Sequence, residues 1–309
     1  MRIILNKVSH FLSNFLKGQK LFDGTPFTVL KINKSRWVGC PIFLSNYKTE
    51  GEGFEPSVGP KDPQVISNHP PSAARSPLQN NILILMPKLC IALDTEYENA
   101  LKLVKALRGK DITFKVGYKL FISHHRRITE PIKEEGFELF LDLKLHDIPS
   151  TVQNGVLSAK ELGADYLTVH ITSGRDALRR AVEVGDGIKL LGVSLLTSLE
   201  EEHLKDFGVC LSKEEYVLRL VSLALECGIT GLVCSGKELP LLKSRFNFFA
   251  VVPGVRLRQE EREDQRRVVS LEEAIRNGAD MVVLGRSILR SQDPVKTVED
   301  ILPLLQTHP

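Results

Sequence analysis

From residue 88 onward, short apolar or β-branched runs alternate with longer stretches in which apolar residues recur at helical spacing. The runs predict strands over 89–94, 113–116, 138–143, 166–170, 189–195, 231–234, 248–252 and 281–284. Between them the periodicity predicts helices over 96–107, 119–134, 150–162, 175–184, 213–227, 237–245 and 271–277, with a last helix in part of 287–305. The tripeptide Gly-Ala-Asp precedes two strands, at 163–165 and 278–280. Glycine there can take the left-handed conformation that ends a helix. Eight strand–helix units in roughly 220 residues predict an α/β protein with parallel strands, closed as a (β/α)8 TIM barrel. The alternative is an open doubly wound sheet, which often carries a glycine-rich turn after its first strand. Here that strand ends in Asp94, Thr95 and Glu96.

Upstream the alternation stops. Residues 51–87 carry seven prolines (Pro56, Pro60, Pro63, Pro70, Pro71, Pro77 and Pro87) and follow neither period, so they read as a linker or disordered extension. Apolar patches such as IILNKVSHFLSNFL in residues 1–50 are interrupted by Asn6, Lys7, Ser9 and His10, so the continuous apolar centre of a signal peptide is missing. Residues 1–87 are expected to be a leader or linker and 88–309 the barrel domain. Met86 stands just before the first strand, and the preferred account is a natural start there, with the upstream residues an artefact of start assignment.

Composition narrows the class. The 309 residues suit one barrel, and 42% apolar with 26% charged residues excludes a wholly disordered chain. A net charge of +3 without a basic block argues against a dedicated nucleic-acid binder. No apolar run is long enough for a transmembrane helix, so no membrane partner is expected. Five cysteines, none spaced as CxxC, argue against a disulfide framework or structural zinc and for reduced thiols in a cytoplasmic protein.

Active sites of such barrels lie at the carboxyl ends of the strands. The polar residues there are Asp94 (first strand), Lys115 (second), Asp142, Lys144 and Asp147 (third), His170 (fourth), Thr197 and Ser198 (fifth), Arg256 (seventh), and Gly285 with Arg286 (eighth). Asp142 and Lys144 are two apart and share one face of a strand, while Leu141, Leu143 and Leu145 take the other. Charges inside a barrel are costly unless paired, and Lys115 adds a second cation on the neighbouring strand. Arg256 and Arg286 follow the strands whose loops often form a phosphate site, and an arginine fork matches phosphate oxygens. The charged loop 257–267 between them reads as a solvated loop or as a lid ordering on substrate, with Gln265 placed to donate to the same phosphate.

FLDLKLHDIPSTV, with ALD, FKVG, LLTS, VVPGVR and LGRSI in order, resembles the orotidine 5′-phosphate decarboxylase family over about residues 88–305. The family usually has Asn where Ser150 stands. The resemblance implies conversion of orotidine 5′-monophosphate to UMP and CO2 in pyrimidine biosynthesis, with no metal or organic cofactor. It implies a charged array of Lys115, Asp142, Lys144 and Asp147, with Lys144 protonating C6. It implies that Asp147, Ile148 and Thr151 reach the partner's site across a homodimer. Asp94 and Lys115 would hold ribose hydroxyls, Thr197 the pyrimidine, and Arg256, Gln265, Gly285 and Arg286 the phosphate.

Two rivals remain: a Mg2+-dependent sugar-phosphate decarboxylase or aldolase of the same barrel superfamily, and a non-catalytic phosphate-binding barrel. The metal-dependent decarboxylase needs a carboxylate on the second strand, where this chain has Lys115, whose charge would repel Mg2+.

Overall fold

Alternate residues along each predicted run sort into two cores. In the first run Leu89 and Ile91 pack outward among the helices, while Cys90 and Ala92 pack inward against Phe140, Leu191, Val251, Met281 and Val283. Period-two alternation of this kind is what a closed sheet with helices outside requires. Each fully buried Leu or Ile of the outer layer contributes about 1.5–3 kcal/mol.

A computed structural model describes residues 86–257 and 269–306. Its strands are β1 (Lys88–Ala92), β2 (Ile112–Val116), β3 (Glu138–Leu145), β4 (Tyr166–His170), β5 (Lys189–Val193), β6 (Gly231–Val233), β7 (Phe249–Val252), β8 (Val255–Arg256), β9 (Val269–Ser270) and β10 (Met281–Leu284). Eight of them close a parallel barrel in the order β1-β10-β7-β6-β5-β4-β3-β2, and β8 and β9 form a separate two-stranded sheet. Pairing of β1 with β10, Lys88 opposite Met281 and Ile91 opposite Leu284, closes the ring and excludes the open sheet. The described helices are α1 (Tyr97–Ala106), α2 (Tyr118–His124), α3 (Arg126–Glu134), α4 (Pro149–Glu161), α5 (Arg175–Val184), α6 (Glu201–Asp206), α7 (Lys213–Glu226), α8 (Leu239–Lys243), α9 (Leu271–Arg276), α10 (Arg286–Leu289) and α11 (Pro294–Gln306). Of the expected leader 1–87, residues 1–85 lie outside the described residues, as do 258–267 of the expected loop or lid over 257–267, Gln265 among them.

Most elements shift by one or two residues from their expected ends, α6 (Glu201–Asp206) has no expected counterpart, and three further differences have visible causes or consequences. The expected helix over 119–134 is two, α2 and α3, broken at His125 with φ 44°. At the break His124 stacks on Tyr97 of α1, ring centroids 4.5 Å apart. Tyr97 Oη also donates to the Arg127 carbonyl at 3.3 Å. Pro131, four residues on and lacking an N–H, leaves that acceptor unclaimed by the helix. The expected last helix divides into the single turn α10 and the longer α11. Arg256 belongs to β8 rather than to the end of β7, because Pro253 and Gly254, the latter at φ 74°, turn the chain after Val252.

Both Gly-Ala-Asp tripeptides build one device. Gly163 (φ 73°) and Gly278 (φ 89°) take the left-handed conformation that ends a helix. Asp165 Oδ2 then accepts from Lys133 Nζ and from the Leu139 N–H, both at 2.7 Å. Asp280 Oδ2 accepts from Lys243 Nζ at 2.8 Å and from the Ala250 N–H at 2.7 Å. Each aspartate thus ties a helix lysine to the amino end of a strand. At the amino end of the barrel, Glu138 accepts from Thr113 Oγ1 at 2.7 Å, from Tyr166 Oη at 3.3 Å and from Lys88 Nζ. These partners offset the cost of carrying a carboxylate into the barrel floor.

Candidate active site

At the carboxyl end of the strands a cavity of about 210 Å³ is lined by Asp94, Lys115, Asp142, Lys144, Thr197, Arg256, Gly285 and Arg286. Eight expected site residues therefore meet in one chamber, though they come from six separate parts of the chain. Apolar side chains complete its wall, among them Phe140, Val193, Leu195, Leu196, Val233, Val251 and Val283. Arg256 is 6% exposed.

The charges alternate. Lys144 Nζ bonds Asp142 Oδ1 at 2.7 Å, and Lys115 Nζ lies 3.3 Å from Asp142 Oδ2 and 3.8 Å from Asp94 Oδ1. Lys115 and Asp142 come from paired strands, Lys115 opposite Phe140. Gly117 lies against this row: a Cβ there would stand 3.6 Å from both Asp94 Oδ1 and Lys115 Nζ, in ordinary van der Waals contact. Burial disfavours the Lys115 ammonium, but the carboxylates of Asp142 and Asp94 outweigh it and hold its pKa above the ordinary lysine value. Burial likewise raises the Asp142 pKa, and the ammoniums of Lys115 and Lys144 more than reverse it, leaving that carboxyl below its ordinary value. Both groups are held charged at neutral pH.

β3 is not a regular strand where it delivers these groups. Leu141 pairs with Leu167 and Leu145 with Val169, so four steps along β3 answer two along β4. Such a bulge re-aims side chains. Within it Lys144 has φ 44°, a conformation that costs a non-glycine residue about 1–3 kcal/mol. Its N–H donates to Thr168 Oγ1 at 2.8 Å, and the Thr168 hydroxyl donates to Asp142 Oδ1 at 3.1 Å. On the other side of the same peptide unit, the Leu143 carbonyl accepts from Tyr118 Oη at 3.0 Å. Thr168 and Tyr118 were not among the residues expected from sequence. The alternation in Tyr166–His170 carries a signal for Thr168, since Leu167 and Val169 pack in the outer core and leave the residues between them facing inward.

Three expected residues do not line the cavity of their own chain. Asp147 is exposed and its Oδ1 accepts from the Ile148 N–H at 2.7 Å. Ile148 is 64% exposed, and Thr151 is exposed on the first turn of α4. Beside them His146 stacks on His170, centroids 4.9 Å apart, and the Thr172 hydroxyl lies 2.6 Å from His170 Nδ1 and 3.3 Å from His146 Nε2. Burial, then the neighbouring His146 and Lys144, push the His170 pKa down.

Residues 87–301 match the family model described as "Orotidine 5'-phosphate decarboxylase / HUMPS family". An orotidine 5′-phosphate decarboxylase of Aquifex aeolicus is 40% identical over 228 residues, 71% of this chain and 99% of the relative. One of Methylacidiphilum infernorum is 44% identical over 221 residues, 70% of this chain and 96% of the relative. The crystal structure of the Lactobacillus acidophilus orotidine 5′-phosphate decarboxylase superposes with a TM-score of 0.63 at 30% identity, covering 71% of this chain and 99% of that one.

Proposed function

The chain belongs to the orotidine 5′-phosphate decarboxylase / HUMPS family, and from that membership we propose that it decarboxylates orotidine 5′-monophosphate to UMP, using the charged row itself in place of a metal. The observation that carries the reading is Asp142 held between two ammoniums in the same cavity as Arg256 and Arg286.

Loss of CO2 breaks the bond between C6 and the carboxylate carbon and leaves the electron pair on C6, where the ring offers little resonance relief. Fixed positive charge must take its place, and charge already oriented in a walled site costs no reorganisation as the reaction proceeds. The Lys144 ammonium provides that charge, gives its proton to C6, and is reprotonated from water. Asp142 holds the ammonium toward the reacting carbon and crowds the substrate carboxylate before it leaves. Lys115 and Asp94 hold the ribose hydroxyls, and Thr197 meets the pyrimidine. Arg256, Gly285 and Arg286 grip the phosphate, and the family resemblance adds Gln265 to them. Binding energy from that remote group is available to organise the charges around C6.

Asp147, Ile148 and Thr151 complete the cavity of a second copy in a homodimer. Their exposure on one chain supports this arrangement. Among the described residues no helix is long and apolar enough to cross a membrane. The same reading places the enzyme in the cytoplasm, where free thiols such as Cys90, Cys227 and Cys234 stay reduced. A Mg2+-dependent relative is disfavoured because Lys115 stands on β2 where that enzyme needs a carboxylate, and its ammonium, 3.3 Å from Asp142 and 3.8 Å from Asp94, would repel a divalent cation.

Incubating the protein with orotidine 5′-monophosphate in excess EDTA, and following loss of substrate absorbance, tests the reading. Turnover without added metal is expected. Turnover that appears only with Mg2+ would favour the metal-dependent relative, and none under either condition would reject decarboxylation. Native mass spectrometry tests the dimer.

A further inference from the structure

We propose that Thr168 and Tyr118 are positioning residues for the proton donor: together they clamp the Leu143–Lys144 peptide unit in the bulge that aims Lys144 into the cavity. The inference rests on the decarboxylase reading above.

The β3–β4 register shift takes the Leu143–Lys144 peptide out of the regular ladder, because Leu141 and Leu145 are the partners on either side of it. A backbone N–H or carbonyl withdrawn from a ladder needs another partner. Both ends of this unit find one in a side chain: the carbonyl accepts from Tyr118 Oη at 3.0 Å and the N–H donates to Thr168 Oγ1 at 2.8 Å. The Thr168 hydroxyl spends its own proton on Asp142 Oδ1 at 3.1 Å, the oxygen that also takes Lys144 Nζ at 2.7 Å. One fully buried hydroxyl therefore holds both the backbone of the donor and the carboxylate that orients its ammonium. Tyr118 contributes twice as well, since Lys144 Nζ lies 5.9 Å from the centroid of its ring.

Strain sharpens the argument. Lys144 sits at φ 44°, where a side-chain-bearing residue remains only if its surroundings impose it. In an unbulged β3 the ladder would resume and Lys144 would be aimed by pleat alone. The clamp thus selects one of two backbone arrangements, and the site depends on the selected one. Nothing in this role requires either residue to touch substrate.

The test uses the full chain with Thr168→Val, which keeps the shape and removes the hydroxyl, Thr168→Ser, which keeps the hydroxyl, and Tyr118→Phe, which keeps the ring. Displacing a catalytic group by about 1 Å can cost on the order of 100-fold in rate. Thr168→Val is expected to lower kcat by roughly 10- to 100-fold with KM held within about twofold, because the ribose and phosphate groups are untouched. Thr168→Ser is expected to restore kcat to within about threefold of the parent, and Tyr118→Phe to lower it by about three- to tenfold with KM again held. A Thr168→Val enzyme with the parent's kcat, or a serine variant as slow as the valine one, overturns the proposal. If Thr168→Val does not fold, the half-exposed Tyr118→Phe decides: an unchanged kcat overturns the clamp. A parent enzyme without turnover would instead be the failure of the decarboxylase reading.

Discussion

Replacing Asp142 with asparagine removes the one carboxylate that two lysines share. Lys144 and Lys115 lie 2.7 and 3.3 Å from it, and at an effective dielectric constant near 20 each contact is a Coulomb attraction of about 5–6 kcal/mol, partly cancelled by desolvation. Removing one member of a buried pair costs about 3–5 kcal/mol. The Lys144 side chain is 28% exposed and can turn toward water, whereas that of Lys115 is 12% exposed and keeps only Asp94, 3.8 Å away. The uncompensated charge is therefore chiefly that of Lys115, and the loss falls at the lower end, about 3 kcal/mol. For a domain of this size that is a fall in Tm of about 6–12 °C.

The pH dependence carries a sign. The Asp142 pKa is depressed in the folded protein, so its contribution is present above its ordinary value of 3.8 and lost as pH falls through the folded value. The Lys115 pKa is raised, so its contribution is present below its ordinary value of 10.5 and lost as pH rises through the folded value. In Asp142→Asn the first contribution is gone. The second is reversed, because burial now outweighs Asp94 and pushes the Lys115 pKa down. The stability difference between parent and variant is therefore largest near neutral pH and narrows toward both extremes. Urea denaturation followed by circular dichroism across the pH range measures it. A neutral-pH difference under about 1 kcal/mol, or one that stays constant from acid to alkali, would refute the charge-sharing argument.

Lys144→Ala should abolish turnover while the circular dichroism spectrum stays that of the parent; near-parental turnover would remove the lysine from proton delivery. Arg286→Ala should raise KM by roughly 10-fold or more, the loss of a charge-assisted phosphate contact, and unchanged KM and kcat/KM would take it out of the site. Asp165→Ala and Asp280→Ala should each cost about 1–2 kcal/mol, because each strands a backbone N–H and a partly exposed lysine. Equilibrium denaturation should find the two losses similar and additive, given that they lie in separate parts of the barrel.

The eight-unit barrel was legible along the chain because its cause is local. Inward and outward residues alternate at every strand, glycine ends the helices at Gly163 and Gly278, and each strand–helix unit repeats the pattern. The charged residues at strand ends were legible for the same reason: an Asp and a Lys on one face of a buried strand need each other, and topology sends strand ends to one mouth. The helix break at His125 was not, since it depends on a partner distant in sequence, Tyr97 of α1. The separation of Arg256 from the preceding strand has a local cause that the periodicity passes over, the Pro253–Gly254 turn after Val252.

What the amino-acid order alone determined is which residues carry charge and that they gather at the carboxyl rim, since periodicity and pleat act over a few residues. Only tertiary structure decided how Lys144 is held. The bulge that turns it, the hydroxyl of Thr168 beneath it and the phenol of Tyr118 beside it meet only after β2, β3 and β4 have paired, and hydrogen bonds across strands leave no period in the sequence that encodes them.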